Sequence, residues 1–392
     1  MSQEISHKVI LKKGKEKPIK NRHHWIFSGA VKHIPKFENG SILPVYSHNN
    51  EFLGLGYFNR KTSIFGRMLT YDNTPLEAAI RDRISSAFKL RQTVIDRETN
   101  TYRLINGEGD GLPGLICDKY KNIIVLQIST LGMEKLKNLI IGILKDIVNP
   151  TCIYEKSKSP SRREEGMTDS EGVLYGELES AIEIKENGLR FIVNVHDAQK
   201  TGFYLDQRNM RQLIKSFSRG KKIMNCFSYT GGFSVYALKG GAMQIDTIDS
   251  SEEAIELAKE NVRLNGFGLA VNKFYIADVF EFLRASRDMY DIVVLDPPAF
   301  ARRKKDLEKA LKGYKDINRV AIKRIKNGGM LFTFSCSYHV SSTLFQQVIF
   351  QAAKEANRNL RIIQKHRMAY DHPINIYHPE GEYLKGLVLY VD

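Results

Sequence analysis

The spacing of apolar and polar positions changes twice along the chain. Up to about residue 72 the apolar residues fall in short runs, KVILKK (8–13), SILPVYS (41–47), FLGLGYFN (52–59) and IFGRML (64–69), broken by Gly, Pro and polar residues. A His-Trp stretch between the first two runs reads as a helix or turn. Several short strands with such punctuation predict a small β-barrel. After Thr74-Pro75 the period becomes helical across PLEAAIRDRISSAFKLRQTVI (75–95), and a new unit begins. RLINGEGDGLPGLICDKYKNIIVLQIS (103–129) predicts a strand pair around a Gly-rich turn, MEKLKNLIIGILKDIV (133–148) an amphipathic helix, and TCIYEKS (151–157) another strand. AIEIKENGLRFIVNV (181–195) predicts a hairpin around Asn187-Gly188.

From about residue 195 strand and helix patterns alternate: KIMNCF (222–227), GFSVYALKGG (232–241), MQIDTID (243–249), SEEAIELAKENVRLNG (251–266), VNKFYIA (271–277), VFEFLRAS (279–286), YDIVVLD (290–296), a long basic helix, GGMLFTF (328–334) and TLFQQVIFQAAKEA (343–356). Such alternation predicts an α/β, doubly wound and mainly parallel sheet, with ligands beyond the carboxyl ends of its strands. The expected division is 1–72 as a β-barrel, 73–190 as a small α+β domain and 191–392 as the α/β domain.

Composition narrows the class of protein. Of 392 residues, 42% are apolar and 26% charged, which excludes wholesale disorder and supplies two or three cores. Lysine plus arginine number 59 against 44 acids, a formal charge of +15, so a polyanionic partner is expected. Nine bases precede Phe37 (Lys8, Lys12, Lys13, Lys15, Lys17, Lys20, Arg22, Lys32 and Lys36) against Glu4 and Glu16, which makes the first unit a basic face. Cys117, Cys152, Cys226 and Cys336 are too scattered for a disulfide framework or a zinc site, so a reducing compartment and no metal are expected. No apolar run approaches a membrane span and the first twenty residues carry no leader pattern, which together predict a cytoplasmic protein with no membrane association.

The candidate chemistry lies at the strand ends. The first α/β strand runs through Asn225-Cys226-Phe227-Ser228-Tyr229-Thr230-Gly231-Gly232 into a helix, where glycines allow a ligand to approach backbone at a helix amino terminus. The second strand ends at Asp249, 18 residues beyond Gly231, where an acid can take both hydroxyls of a ribose. The third ends at Ala277-Asp278-Val279, where the carboxylate can accept from an adenine amino group. The fourth ends at Asp296-Pro297-Pro298-Ala299-Phe300, and two prolines fix the backbone that presents Asp296. Together these resemble a class I S-adenosylmethionine-dependent methyltransferase.

The fifth strand, Gly329 to Phe334, ends in Ser335-Cys336-Ser337-Tyr338-His339, so Cys336 and Asp296 are expected to flank one pocket. Ala299 stands where amine-methylating relatives of this fold carry an aromatic after the prolines, which weakens amine methylation. Carbon methylation of a pyrimidine needs a thiolate to add at C6 before C5 becomes nucleophilic. Cys336 is the expected thiolate and Asp296 the group that holds N3 and the amino group. Cys226, inside the first strand, is read as packing.

Longer motifs carry a narrower resemblance: His24-Trp25-Ile26-Phe27-Ser28-Gly29-Ala30, Asn106-Gly107-Glu108-Gly109-Asp110-Gly111-Leu112-Pro113-Gly114-Leu115, and Thr201-Gly202-Phe203-Tyr204-Leu205-Asp206-Gln207-Arg208. With them the chain resembles, over almost its whole length, the RlmI-type family of 5-methylcytosine methyltransferases acting on large-subunit ribosomal RNA. The resemblance implies an amino-terminal PUA domain, a middle α+β domain and a carboxy-terminal Rossmann-like catalytic domain that uses S-adenosylmethionine. It also implies cofactor contacts from Phe203, Asp206, Gln207 and Arg208, from Phe227, Tyr229, Thr230 and Gly231, and from the strand ends Asp249-Ser250, Asp278-Val279 and Asp296-Pro297. Pro298, Phe300, Arg302, Arg303, Lys304, Lys12, Lys13 and Arg22 are the residues expected against RNA, and the oligomeric state, a homodimer included, is open. Tyr338 and His339 depart from the family pattern, where smaller residues are expected. Two rival readings are methylation elsewhere on the RNA, for example guanine N7, which needs no thiol, and a catalytically silent RNA-binding assembly factor, which would bind no cofactor.

Overall fold

The computed structural model describes residues 7–196, 202–301, 303–366 and 368–392, and these divide into two compact units. The first comprises 7–184, 193–196, 202–205 and 370–381, and the second 185–192, 206–301, 303–366, 368–369 and 382–392.

The first unit holds two sheets. Strands β1 (Val9–Leu11), β2 (Trp25–Phe27), β3 (Val31–His33), β4 (Ile42–Tyr46), β5 (Phe52–Phe58) and β6 (Ile64–Met68) form a six-stranded sheet in the order β2-β6-β5-β4-β1-β3, with a short helix α1 (Lys17–Lys20) after β1. The His-Trp stretch is therefore a strand: Trp25 pairs with Arg67 of β6, because Ile26 has core to enter on that edge. Helix α2 (Leu76–Val94) then leads to β7 (Thr101–Asn106), β8 (Leu115–Tyr120), β9 (Ile123–Ile128), β10 (Cys152–Ser157) and β11 (Ser170–Gly176), ordered β11-β10-β9-β8-β7. Three strands rather than one pair occupy 101–128, since Lys121, at φ 56°, turns the chain a second time. The helix expected over 133–148 is two, α3 (Leu131–Lys135) and α4 (Lys137–Val148). The break falls at Leu136, whose φ of −92° and ψ of 0° leave the helical region, and within α3 Gly132 lies so close under the Tyr57 ring that a Cβ there would sit 2.1 Å from its Cγ. A one-turn helix, α5 (Pro160–Glu164), separates β10 from β11, and β12 (Ile182–Glu186) and β13 (Leu189–Val193) make the hairpin expected around Asn187-Gly188, most of which, 185–192, belongs to the second unit.

The second unit is one seven-stranded sheet flanked by helices. After α6 (Arg208–Phe217) come β14 (Lys222–Cys226), α7 (Gly232–Lys239), β15 (Gln244–Asp249), α8 (Glu252–Leu264), β16 (Asn272–Ile276), α9 (Val279–Ala285), β17 (Tyr290–Leu295), α10 (Leu307–Lys323), β18 (Ile325–Ser335), α11 (Ser342–Ala356), β19 (Leu360–Lys365) and β20 (Lys385–Val391). The order is β16-β15-β14-β17-β18-β20-β19, with β14 to β18 parallel and β20 antiparallel to both neighbours. The alternating pattern predicted this sheet, except that α6, β19 and β20 were not read from it. Ser251, Asp278 and Ser341 cap α8, α9 and α11 by accepting from Ala254, Glu281 and Leu344 backbone N–H groups at 3.2, 3.0 and 3.2 Å. The core between sheet and helices includes Met224, Ile248, Leu295, Leu331, Tyr314 and Phe345, each at most 1% exposed. Each such apolar side chain contributes roughly 1.5–3 kcal/mol on burial. Because β14 to β18 are parallel, their five carboxyl ends open on one edge, and every strand-end candidate lies there. Among the described residues no helix is long and apolar enough to cross a membrane.

Candidate active site

The loop after β14 is held in an unusual backbone conformation. Phe227 and Tyr229 have φ of 57° and 46°, and Gly231 has φ 76° at the start of α7. Side chains other than glycine rarely adopt this region, so the surroundings must enforce it. They do so through a Ser228 N–H donating to Ile248 O at 3.0 Å and a Tyr229 N–H donating to Asp249 Oδ2 at 2.8 Å. A Cβ at Gly231 would lie 2.9 Å from Ala258 Cβ, so only glycine lets α7 and α8 approach here. Beneath the loop a buried polar chain runs from Asn225 Nδ2 to Ser234 Oγ (2.9 Å), to Thr247 Oγ1 (2.8 Å) and to Asn272 Oδ1 (2.7 Å).

Asp249 also accepts from Ser251 N–H at 3.0 Å, so both its oxygens fix the loop while retaining lone pairs for hydroxyl donors. Ser228 Oγ and Thr230 Oγ1 are buried with no hydrogen-bond partner among the described residues. Buried polar atoms are normally satisfied, and two orphans on one loop beside an acid fit a ligand that brings its own polar groups, as the methionine and ribose parts of S-adenosylmethionine do. Asp278 is exposed and caps α9 through one oxygen, Ser250 is exposed, and Val279 packs in the core.

The other half of the edge is assembled from distant parts of the chain. Asp296 Oδ2 accepts from Gln207 Nε2 at 3.0 Å, and Gln207 Oε1 lies 3.2 Å from His366 Nε2. With the amide nitrogen given to the carboxylate, the His366 ring nitrogen facing Oε1 is the donor. Asp206 Oδ2 accepts from the Tyr383 hydroxyl at 2.6 Å. Arg208 and Arg211 share the buried carboxylate of Glu186, at 3.2 and 2.7 Å, so the Arg208 guanidinium serves that ion-pair cluster. Pro297 is buried, Pro298 exposed, and Phe300 joins an aromatic series with ring centroids 4.5 Å to Tyr314 and 5.9 Å to Phe280, which is itself 6.4 Å from Phe227.

Cys336 is half-buried at the end of β18, with Sγ 3.8 Å from Pro297 O. Next to it, Ser337 Oγ accepts from Ala301 N–H at 3.1 Å and meets the Tyr314 hydroxyl at 3.0 Å, while Lys385 Nζ donates to Ser337 O at 2.8 Å. The rival thiol, Cys226, is fully buried, and burial holds it in the neutral form well above the ordinary cysteine value. Strands β17 and β18 are neighbours, so the expected meeting of the Asp296 turn and Cys336 is present.

Phe203 belongs to the first unit, 5% exposed, with its N–H donating to the Tyr120 hydroxyl at 3.1 Å. Lys12, Lys13 and Arg22 are exposed in the same unit, with Lys12 Nζ 2.9 Å from Gly29 O. Arg303 and Lys304 are exposed, Arg303 pairing with Asp306 at 3.2 Å, whereas Arg302 and Thr201 lie outside the described residues. Tyr338 is 61% exposed beside His339. His23, His378 and Glu380 also meet in the first unit, but His23 Nδ1 accepts from Trp25 N–H at 3.2 Å, which leaves its Nε2 as the N–H facing Glu380 at 3.4 Å. That is a hydrogen-bonded cluster rather than a ligand set.

A family profile described as S-adenosylmethionine-dependent methyltransferase matches residues 162–368, and a PUA-like domain profile matches 9–71. A protein of Escherichia coli (strain SMS-3-5 / SECEC) named ribosomal RNA large subunit methyltransferase I is 40% identical over 392 residues, covering 97% of this chain and 98% of its own. The protein of the same name from Klebsiella pneumoniae (strain 342) is 39% identical, covering 98% of each. The chain belongs to the ribosomal RNA large subunit methyltransferase I family. It is an S-adenosylmethionine-dependent methyltransferase, and the satisfied and unsatisfied groups of the β14 loop fit that cofactor. Among solved structures, a candidate methyltransferase from Streptococcus mutans shares the fold at TM-score 0.85 and 22% identity, covering 98% of this chain and 99% of its own. A second such structure, in complex with S-adenosylhomocysteine, matches with the same values.

Sequence reading missed His366, Tyr383, Lys385 and Tyr314. Two signals could have found the first three: LRIIQK and KGLVLYV are β-branched runs after the last helix, and both are strands.

Proposed function

We propose that this methyltransferase transfers a methyl group to C5 of a cytosine in large-subunit ribosomal RNA through a bond between Cys336 Sγ and C6. The observation that carries the reading is a half-buried thiol at the end of β18, 3.8 Å from the carbonyl of the Asp296-Pro297 turn. Amine or N7 methylation needs no thiol at that position.

S-adenosylmethionine supplies an electrophilic methyl sulfonium when bound. Asp249, the β14 loop and Asp278 orient its ribose, methionine and adenine parts. Cys336 adds to C6 as N3 takes up a proton from solvent, so no net anion is left on the ring, and Asp296, oriented by Gln207, holds the adduct by accepting from the amino group and the N3–H. After transfer the C5 proton leaves to water or a base and the thiol departs.

The charge of +15 and the PUA-like segment support RNA as the polyanion; Lys12, Lys13, Arg22, Arg302, Arg303 and Lys304 are the phosphate contacts in this reading, and Pro298 and Phe300 border the target base. The chain is read as three domains, 1–72, 73–190 and 191–392, acting in the cytoplasm. Mass spectrometry of nucleosides from large-subunit RNA of cells lacking the protein tests the reading. Loss of one 5-methylcytosine, restored by wild type and not by Cys336→Ser, is the expected result; loss of a different methylated nucleoside would overturn it.

A further inference from the structure

The reaction requires a thiolate, yet an ordinary cysteine of pKa about 8.5 is only a few per cent ionised at neutral pH. Something beside Cys336 has to favour the charged form. In the antiparallel pairing of β18 with β20, Lys385 stands opposite Ser335, one residue before the thiol. Lys385 is 6% exposed, an unusual place for an ammonium, and its Nζ donates to Ser337 O at 2.8 Å and Tyr383 O at 2.6 Å. Two carbonyls clamp it, and an ammonium has a third N–H. No apolar packing need explains a lysine here, because a methionine would fill the same space without the cost of burying a charge.

We propose that Lys385 is a positioning residue for the reaction, a buried cation held against Cys336 so that the thiol is ionised at neutral pH. The inference rests on the thiol mechanism proposed above and deepens it. A cation beside a cysteine lowers the proton affinity of the thiol, and the thiolate formed loses some intrinsic nucleophilicity but gains more in population while the pH lies below its midpoint. The interaction is mutual: burial pulls the Lys385 ammonium below the ordinary lysine range, and Cys336 and then Glu382 hold it up.

Among the described residues, the other groups named around the thiol do not supply this positive charge. Tyr314, from α10, has its hydroxyl on Ser337 and is raised chiefly by burial, then by Cys336, so it stays neutral. Asp296, from the end of β17, is acidic, and a carboxylate there opposes ionisation of the thiol instead of favouring it. His339 follows on the same loop as Cys336. The thiol proton goes to solvent, and Lys385 keeps its own.

Iodoacetamide alkylation of the full-length protein from pH 6 to 10, read by mass spectrometry at the Cys336 peptide, tests the pairing without RNA or cofactor. Cys117, Cys152 and Cys226 are buried and held neutral by burial, so the reaction reports Cys336. The expected midpoint for wild type lies about one unit or more below 8.5. Lys385→Met should raise it by at least about one unit, slowing alkylation at pH 7 about threefold once the greater nucleophilicity of the more basic thiolate is counted, and Lys385→Arg should restore it. A wild-type midpoint at or above about 8.5 overturns the proposal without any variant; so does a Lys385→Met protein with an unchanged midpoint. Methylation of RNA by Cys336→Ser would remove the nucleophile reading instead, and the alkylation midpoint would still decide the ion pair.

Discussion

The two halves of the active edge are built differently. At the ends of β14, β15 and β16 the functional groups are fixed by their own loops: Asp249 by the N–H groups of Tyr229 and Ser251, and Asp278 by that of Glu281. At the ends of β17 and β18 they are held from far along the chain: Asp296 by Gln207, which itself meets His366, and the segment of Cys336 by Lys385 and Tyr314, which both meet Ser337. In the proposed reading the first half is the cofactor-binding loop, which a short sequence can specify, and the second is the reaction centre, which needs the sheet completed by β20. In this division, damage to the first half weakens the cofactor complex, and damage to the second impairs the chemical step.

Cys336→Ser breaks the comparison most sharply. Methyl transfer should fall on the order of a thousandfold or more, because serine cannot add to C6, while cofactor affinity measured by calorimetry stays in the wild-type range. Next comes Asp249→Ala, which removes a charged acceptor: cofactor affinity should drop by about 1.5–3 kcal/mol, or roughly ten- to a hundredfold. Gln207→Ala removes one hydrogen bond to Asp296 and should lower kcat by about tenfold, equivalent to about 1.4 kcal/mol, in single-turnover kinetics. The smallest effect belongs to Asp278, where Asn retains the cap on α9 and Ala loses it. Stability by urea denaturation should be near wild type for Asp278→Asn and about 1 kcal/mol lower for Asp278→Ala. A cofactor affinity loss shared by both variants would place the Asp278 charge against the adenine.

The same division explains what could be read in advance. The period of apolar residues marks the parallel sheet, and the glycines and acids mark the candidate binding loops, because each lies within a few residues of the strand it follows. Asp206, Gln207 and Arg208 entered only through family resemblance, and they do three different things: Gln207 supports Asp296, Asp206 binds Tyr383, and Arg208 joins the buried Glu186 cluster. No local pattern distinguishes them. Lys385 was invisible because a lysine at the start of an apolar run looks like a solvated strand end until the register with β18 buries it. The two helices at 131–148 read as one because the interruption falls at Leu136, an apolar residue in helical register that no Gly or Pro marks.

The central claim is a covalent bond between Cys336 and the base. Incubating the protein with cofactor and a ribosomal RNA fragment in which cytosine is replaced by 5-fluorocytosine tests it directly, because the C5 fluorine cannot leave as the proton does and the thiol adduct persists. The account predicts an RNA-linked peptide containing Cys336 by mass spectrometry, absent in Cys336→Ser. Efficient methylation of the unmodified fragment with no adduct on the fluorinated one would contradict it.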